Sequence, residues 1–306
     1  MPDSSQDMEQ AGGNVDSPHL VTPEVLRSWS LPEPSGSKYS RGQVLVIGGT
    51  CTTPGAVMLA GTAALRMGAG RLTIATAEGV ATQLAVALPE SGTLPLPQDD
   101  EGSISGERLE ELLEDEVARA DAILVGPGLR AGEGVEKLLA AVATAAPKGV
   151  PVVLDAAAVT VMPGLEAELG TSLQGHLVLT PNAPELARLL DVDEVKDEHV
   201  PPAILRIAEG LDAVVACGPW IASPAGLWKI STGDTGLGTS GSGDVVAGAL
   251  VGLIARGATA LQATVWAKHV HAAAGDVLAA RWGRVGYLAS EITDELPLVM
   301  RSLGGD

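Results

Sequence analysis

Six short runs of the chain, QVLVI (43–47), LTIAT (72–76), AILV (122–125), VVLD (152–155), LVLT (177–180) and AVVA (213–216), are almost unbroken in their apolarity. A strand with one wet face alternates apolar and polar residues. A run without alternation fits a strand buried on both faces, as in parallel sheets covered by helices. Between and after these runs the spacing becomes helical, predicting helices over 56–67, 107–119, 133–146, 183–190 and 202–209, then 244–256, 259–281 and about 290–301. Strand and helix in strict alternation predict βαβ units, hence an α/β fold with a mostly parallel central sheet between two helix layers. ASPAGLWKIS (222–231) reads as a hairpin around its PAG turn, and LPLPQDDEGSISG (94–106) as a loop.

The core of such a fold has to be built from small side chains here. Aromatic residues are 2% of the chain and Phe is absent, so Ala, Val and Leu must fill the interior and bring helices close to the sheet. The 306 residues suit one domain over 31–306, preceded by a polar, acidic stretch, 1–30, read as a disordered tail. A formal charge of −19 argues against a nucleic-acid partner, which needs clustered Lys and Arg. Cys51 and Cys217 form no C-x-x-C pair, so neither a disulfide framework nor a zinc site is expected, and a reducing, cytoplasmic setting fits. The longest uncharged apolar run, 245–255, is far short of the ~20 residues that cross a bilayer, so no membrane partner is expected.

Ligands of open parallel sheets sit beyond the carboxyl ends of the strands. The segments expected there are rich in Gly and Pro: GGTCTTPGA (48–56), GPGLRAG (126–132), PNAPE (181–185) and CGPW (217–220). A fifth, GLGTSGSGDVVAGALVGLIARG (236–257), runs from a glycine loop into an apolar helix. Its GLGTSG matches G-x-G-x-x-G, but no acidic residue stands about 20 positions on to bind a ribose, and GxxxxGK[ST] occurs nowhere. What remains is an anion hole, free amides at the positive end of a helix dipole. Asp244 at that joint is either a helix cap or a general base that takes the proton of an attacking hydroxyl.

GTSGSGDVVAG (239–249) resembles the anion-hole and catalytic-Asp signature of the ribokinase-like superfamily, and TPNAPELARLL (180–190) its N-x-x-E signature. The strings GQVLVIGGTCTTPGAVMLAGTAALRMGAGRLTIAT (42–76), ADAILVGPGL (120–129) and HAAAGDVLAARWGRVGYLASEITDELP (271–297) narrow the resemblance to the ADP-dependent NAD(P)H-hydrate dehydratases, over about residues 38–300. The resemblance implies a ribokinase-like three-layer α/β/α sandwich. It also implies repair of NAD(P)HX, the hydrated S-epimer of NADH or NADPH, with ADP, or ATP, as co-substrate and Mg2+ as the cation. On that pattern Asp244 is the base. Ala56, Gly128, Asn182 and Asp244 line the substrate. Cys217, Gly218, Pro219, Trp220 and Ile221 line the nucleotide, Gly241 and Gly243 hold the moving phosphoryl group, and Glu185 serves the metal. A homotetramer and a separate NAD(P)HX epimerase, with this chain carrying only the dehydratase function, are also implied.

The sequence departs from that pattern at three places. Asn182 and Pro184 stand where the dehydratases have His and Gly in T-P-H-P-G-E, Cys217 stands for the Lys of a Lys-Gly pair, and DAAA (155–158) replaces DADA. Asn182 and Glu185 suit a kinase of a small alcohol, and Cys217 suits a non-catalytic nucleotide-binding relative; both readings stand beside the dehydratase. His269 and His271, two apart on a helix, face different ways, so no joint metal site is expected. Trp220 and Trp228 are candidates for stacking on adenine or for packing, and Cys51 reads as structural.

Overall fold

The computed structural model describes residues 5–33, 36–165, 169, 172–233 and 235–305. The apolar runs are strands: β2 (Gln43–Ile47), β3 (Arg71–Ala77), β5 (Ala122–Val125), β6 (Val152–Leu154), β7 (Leu177–Leu179) and β8 (Val214–Cys217). With β1 (His19–Val21), β4 (Gly92–Leu96), β9 (Trp220–Ser223) and β10 (Gly226–Ile230) they make one sheet ordered β1-β10-β9-β8-β7-β6-β5-β2-β3-β4. Every pairing from β8 across to β4 is parallel; beyond β8, β9 runs antiparallel to it, β10 turns back antiparallel to β9, and β1 forms the other edge, parallel to β10. Strands β5, β6 and β7 are buried at every residue, as unbroken apolarity requires.

Chain order along the sheet reverses once. From β2 the chain moves outward through helix Pro54–Arg66 to β3 and through helix Glu78–Ala87 to β4. It then returns through helix Leu109–Arg119 to place β5 on the other side of β2, and continues outward through β6, β7 and β8. Loops leaving β2 and β5 therefore diverge and open a crevice beyond their carboxyl ends, the usual ligand position in such sheets. Helices Ser242–Ala255, Ala260–Trp282 and Ala289–Leu303 pack with Pro54–Arg66 on one face, while Leu109–Arg119 packs with Glu133–Ala145 on the other.

Small residues set the spacing between helices within the first layer. A Cβ on Gly248 would lie 2.0 Å from the carbonyl oxygen of Ala60, and one on Gly252 2.6 Å from that of Ala64. Helices Ser242–Ala255 and Pro54–Arg66 thus touch backbone to backbone, in parallel, one turn per step. Each begins six residues ahead of the Gly248–Ala60 contact, so both N-termini stand level, about 9 Å above it.

Two expectations are corrected. The opening residues are not a tail up to residue 30: β1 pairs in parallel with β10, helix Pro23–Ser28 follows, and Val21, Leu26 and Trp29 are fully buried. The Trp29 carbonyl accepts from the Trp266 indole N–H at 2.8 Å, and Gln262 donates to the Ser30 carbonyl at 2.9 Å. A few anchoring apolar residues outweigh the polar average of the segment. The 94–106 segment is not loop throughout, because β4 occupies its first residues, with Pro95 tolerated on an edge strand.

Candidate active site

The crevice between β2 and β5 is closed at its base by direct bonds between the two loops. Gly49 donates its amide to the Pro127 carbonyl at 2.8 Å, and the Thr53 hydroxyl donates to the Gly128 carbonyl at 2.7 Å. Gly128 has φ +68°, and a Cβ there would meet the Thr53 carbonyl oxygen at 2.5 Å and the Ala56 methyl at 2.9 Å. Only glycine lets the loops close to this distance. The structure therefore brings together Ala56 and Gly128, two of the expected substrate-lining residues.

Asp244 lies in the first turn of helix Ser242–Ala255, half-buried, behind Gly241 in a left-handed conformation. Because that helix starts level with Pro54–Arg66, the Asp244 turn and the Ala56 turn share the rim at which Gly128 sits. No side chain caps this helix at Gly241. A helix N-terminus favours an ionised carboxylate, but burial and then the nearby Glu185 charge outweigh it and raise Asp244 to about 6. At neutral pH it is still largely ionised and is a stronger proton acceptor than an exposed aspartate.

Asp155, at the end of β6, is the third carboxylate of this group. Burial raises it to about 7; the Thr180 hydroxyl, donating at 2.8 Å, opposes the rise, while Glu185 and Asp244 add to it. The next residue, Ala156, holds φ +50° and ψ −121°, a conformation that costs a side-chain-bearing residue about 1–3 kcal/mol. Such strain is sustained only where the surroundings over-determine the backbone, here at the strand end that presents Asp155.

Asn182 and Glu185 are occupied with each other. The Asn182 side-chain oxygen accepts from the Glu185 amide and Glu185 Oε2 accepts from the Asn182 amide, both at 2.9 Å, forming a capping box on helix Ala183–Leu189. Their N-x-x-E spacing thus has a structural function, which leaves Glu185 held rigidly with its charge toward Asp155 and Asp244.

Two adjoining cavities border this rim. One, of about 410 Å3, runs between Gly218, Pro219, Ser242, Gly243, Lys268 and His271. The other, of about 510 Å3, is bounded by Asn182, Cys217, Gly218, Pro219, Trp220 and Lys229. Gly218 and Pro219, the two-residue turn between β8 and β9, form the wall common to both. A Cβ at Gly243 would meet no atom within 4 Å, so packing does not demand glycine there and its smallness leaves ligand space, whereas Gly218 also serves its turn with φ +55°. Trp220 is half-exposed, with the Lys229 ammonium 4.6 Å from its ring centre, whereas Trp228 is fully buried and belongs to the core. Ile221 is fully buried beneath the turn. Ser242 and His271 bond through Oγ and Nε2 at 2.9 Å, and burial, aided by Lys268, lowers the imidazole to about 3, so it is neutral.

A family model described as NAD(P)H-hydrate dehydratase, Carb_kinase, matches residues 44–298. The chain belongs to this family. It is 43% identical over 289 residues to the ADP-dependent (S)-NAD(P)H-hydrate dehydratase of Xanthomonas campestris pv. campestris, covering 92% of this chain and 96% of that one. It is 36% identical to the bifunctional NAD(P)H-hydrate repair enzyme of Moorella thermoacetica, where 93% of the chain spans only 54% of the relative. Among solved structures it resembles the ADP/ATP-dependent NAD(P)H-hydrate dehydratase of Bacillus subtilis co-crystallised with ATP and Mg2+, with TM-score 0.74, 27% identity, and 93% and 98% of the two chains covered. A ribokinase-like protein of Enterococcus faecalis shares the fold, with TM-score 0.79 at 24% identity and coverage of 93% and 96%. The α/β/α sandwich expected from the strand runs is therefore the ribokinase-like one.

Within this dehydratase family the departure at Cys217 has a clear physical character. Its side chain is buried and burial raises the thiol to about 11, so it is a neutral wall residue. Lys268 approaches it from helix Ala260–Trp282. No motif marked Lys268; the available signal was a single lysine inside the apolar stretch 260–275.

Proposed function

We propose that the chain dehydrates the S-epimer of hydrated NADH or NADPH, using ADP or ATP as phosphoryl donor. The observation that carries this reading is the placement of Asp244: a half-buried carboxylate with raised proton affinity, in an uncapped helix turn, level with the Ala56–Gly128 crevice. The hydrated nicotinamide enters that crevice, with Ala56 and Gly128 against it, and the nucleotide occupies the two cavities, with its base beside Trp220 and its phosphates toward Gly241 and Gly243.

Asp244 takes the proton of the ring hydroxyl as that oxygen forms its bond to the terminal phosphorus of ADP. The bond from this phosphorus to the bridging oxygen breaks, and AMP leaves with the electron pair. The first-turn amides of helix Ser242–Ala255 hold the negative oxygens of the transferring group. The carbon–oxygen bond then breaks with the electrons going to phosphate, the neighbouring ring carbon loses a proton, and the reduced nicotinamide is restored.

The residues present suit magnesium. Magnesium keeps much of its water and needs only one or two protein carboxylates beside substrate phosphates. Glu185, fixed by its capping box, would hold it through water or directly, and the repulsion that raises Asp155 and Asp244 is the kind a cation relieves. When bound, the ion supplies charge neutralisation at the phosphates.

The test is turnover of purified S-hydrate with Mg2+ and ADP or ATP, followed by recovery of the near-ultraviolet absorbance of reduced nicotinamide. Asp244→Asn should bind both substrates and lose about 100-fold or more in kcat. A stable phosphorylated product without absorbance recovery would identify an alcohol kinase. Nucleotide binding with no turnover at all would identify a non-catalytic relative.

A further inference from the structure

Helix Ala260–Trp282 carries an ammonium into the wall of the 410 Å3 cavity. Lys268 stands there beside the Gly218–Pro219 turn and His271, with Ser242 and Gly243 from the start of helix Ser242–Ala255 on the same wall. Among the described residues Lys268 makes no ion pair. Its neighbours only partly offset the cost of its burial. Burial pushes its proton affinity down, the Cys217 thiol is protonated, and the His271 imidazole is neutral. Asp155 is the carboxylate that acts on it, from a distance.

A positive group in a cavity wall without an anion against it is unfavourable unless the cavity receives one. Here the amides of the first turn of helix Ser242–Ala255 add their own positive potential to the same space. The glycines at 218 and 243 leave the space open. Two positive sources facing an open, glycine-lined volume define an anion seat.

We propose that Lys268 is the cation of the nucleotide site and binds the phosphate oxygens of ADP. It does so in place of the lysine that the dehydratase pattern puts at position 217, where this chain has cysteine. The positive charge has moved from the end of β8 to the facing helix, while the anion it meets stays where the Gly218 turn and the Gly243 amide converge. This proposal rests on the dehydratase reading for the identity of the nucleotide, but the seat itself is built by residues of this chain alone.

The experiment is equilibrium binding of ADP and of adenosine, each with Mg2+, to the intact chain and to Lys268→Met, Lys268→Arg and the double variant Cys217→Lys/Lys268→Met. Methionine keeps the length of the buried stem, so the single variant should fold, and circular dichroism with a thermal melt checks it. The expected result is a rise of about tenfold or more in the Kd for ADP in Lys268→Met. The Kd for adenosine should be unchanged, Lys268→Arg should retain most of the ADP affinity, and the double variant should regain it. Unchanged ADP affinity in Lys268→Met overturns the proposal, as does equal weakening of ADP and adenosine, which would mark a packing role. Failure of the dehydratase reading looks different: the intact chain would bind ADP, with the lysine effect present, and leave the S-hydrate unconverted.

Discussion

Replacing Gly248 by alanine adds one methyl group where there is no room for it. The new Cβ would lie 2.0 Å from the Ala60 carbonyl oxygen and 2.6 Å from two further backbone atoms of Ala60, against an ordinary contact of at least 3.4 Å. Neither neighbour is a flexible side-chain tip, so helices Ser242–Ala255 and Pro54–Arg66 must part by about 1.4 Å, the shortfall against normal van der Waals spacing. Overpacking of this kind costs about 1–3 kcal/mol, and the better helix propensity of alanine returns up to about 1, leaving a net loss of about 1 kcal/mol, and about 2 at the upper end of the range. The same separation moves the Asp244 turn away from the Ala56–Gly128 crevice, and a misplacement of about 1 Å costs on the order of 100-fold in rate. Urea denaturation reads the first effect and S-hydrate turnover at saturating ADP the second. Gly210→Ala is the control, because it lies in helix Val200–Leu211 with no atom within 4 Å of its Cβ, and should be neutral or stabilising by up to about 1 kcal/mol. If Gly248→Ala matches the parent in both midpoint and kcat, the backbone-on-backbone contact is not what aligns the base with its substrate.

Two further outcomes follow from the site. His271 is lowered to about 3 by burial and by Lys268, while an unfolded histidine titrates near 6.5. The folded state therefore binds fewer protons between these values, and the stability due to His271 is present above pH 6.5 and lost as pH falls toward 3. The loss is about 2 kcal/mol at pH 5, so the gap in unfolding free energy from urea denaturation between pH 7.5 and pH 5 should shrink by that amount in His271→Gln; an equal gap in both proteins would refute it. Trp220→Ala should raise KM for ADP about fivefold to tenfold with little change in kcat, because the indole faces the outer cavity and not the reacting atoms; a fall in kcat at unchanged KM would contradict that placement.

The parallel centre of the sheet was legible because burial on both faces leaves so strong a mark: QVLVI and AILV are strands over the same residues in the sequence reading and in the structure. The edges were not. β1 has three residues and β4 contains a proline, so neither carries a run long enough to stand out, and their places come from pairing with β10 and β3. At the site, Asp244 was visible because a charge at a glycine-to-apolar boundary is conspicuous. The N-x-x-E spacing was visible too, but a capping box and a metal motif look alike until the hydrogen bonds are seen. Lys268 left no local pattern, since its role depends on helix Ala260–Trp282 passing opposite the β8–β9 turn, a relation between residues some fifty positions apart.

The pairing of β1 with β10 bears on how the protein can be handled. Val21 pairs with Ile230, and Ile230 borders the cavity that holds Gly218 and Lys268. A shortened version beginning near residue 31, the boundary that composition suggests, would strip the outer strand from this hairpin and bare a row of unpaired amides and carbonyls at the wall of that cavity. Bare edges of that kind recruit other chains. Such a version would be sticky and weak in nucleotide affinity together, and affinity tags or fusion partners are better joined at the opposite terminus.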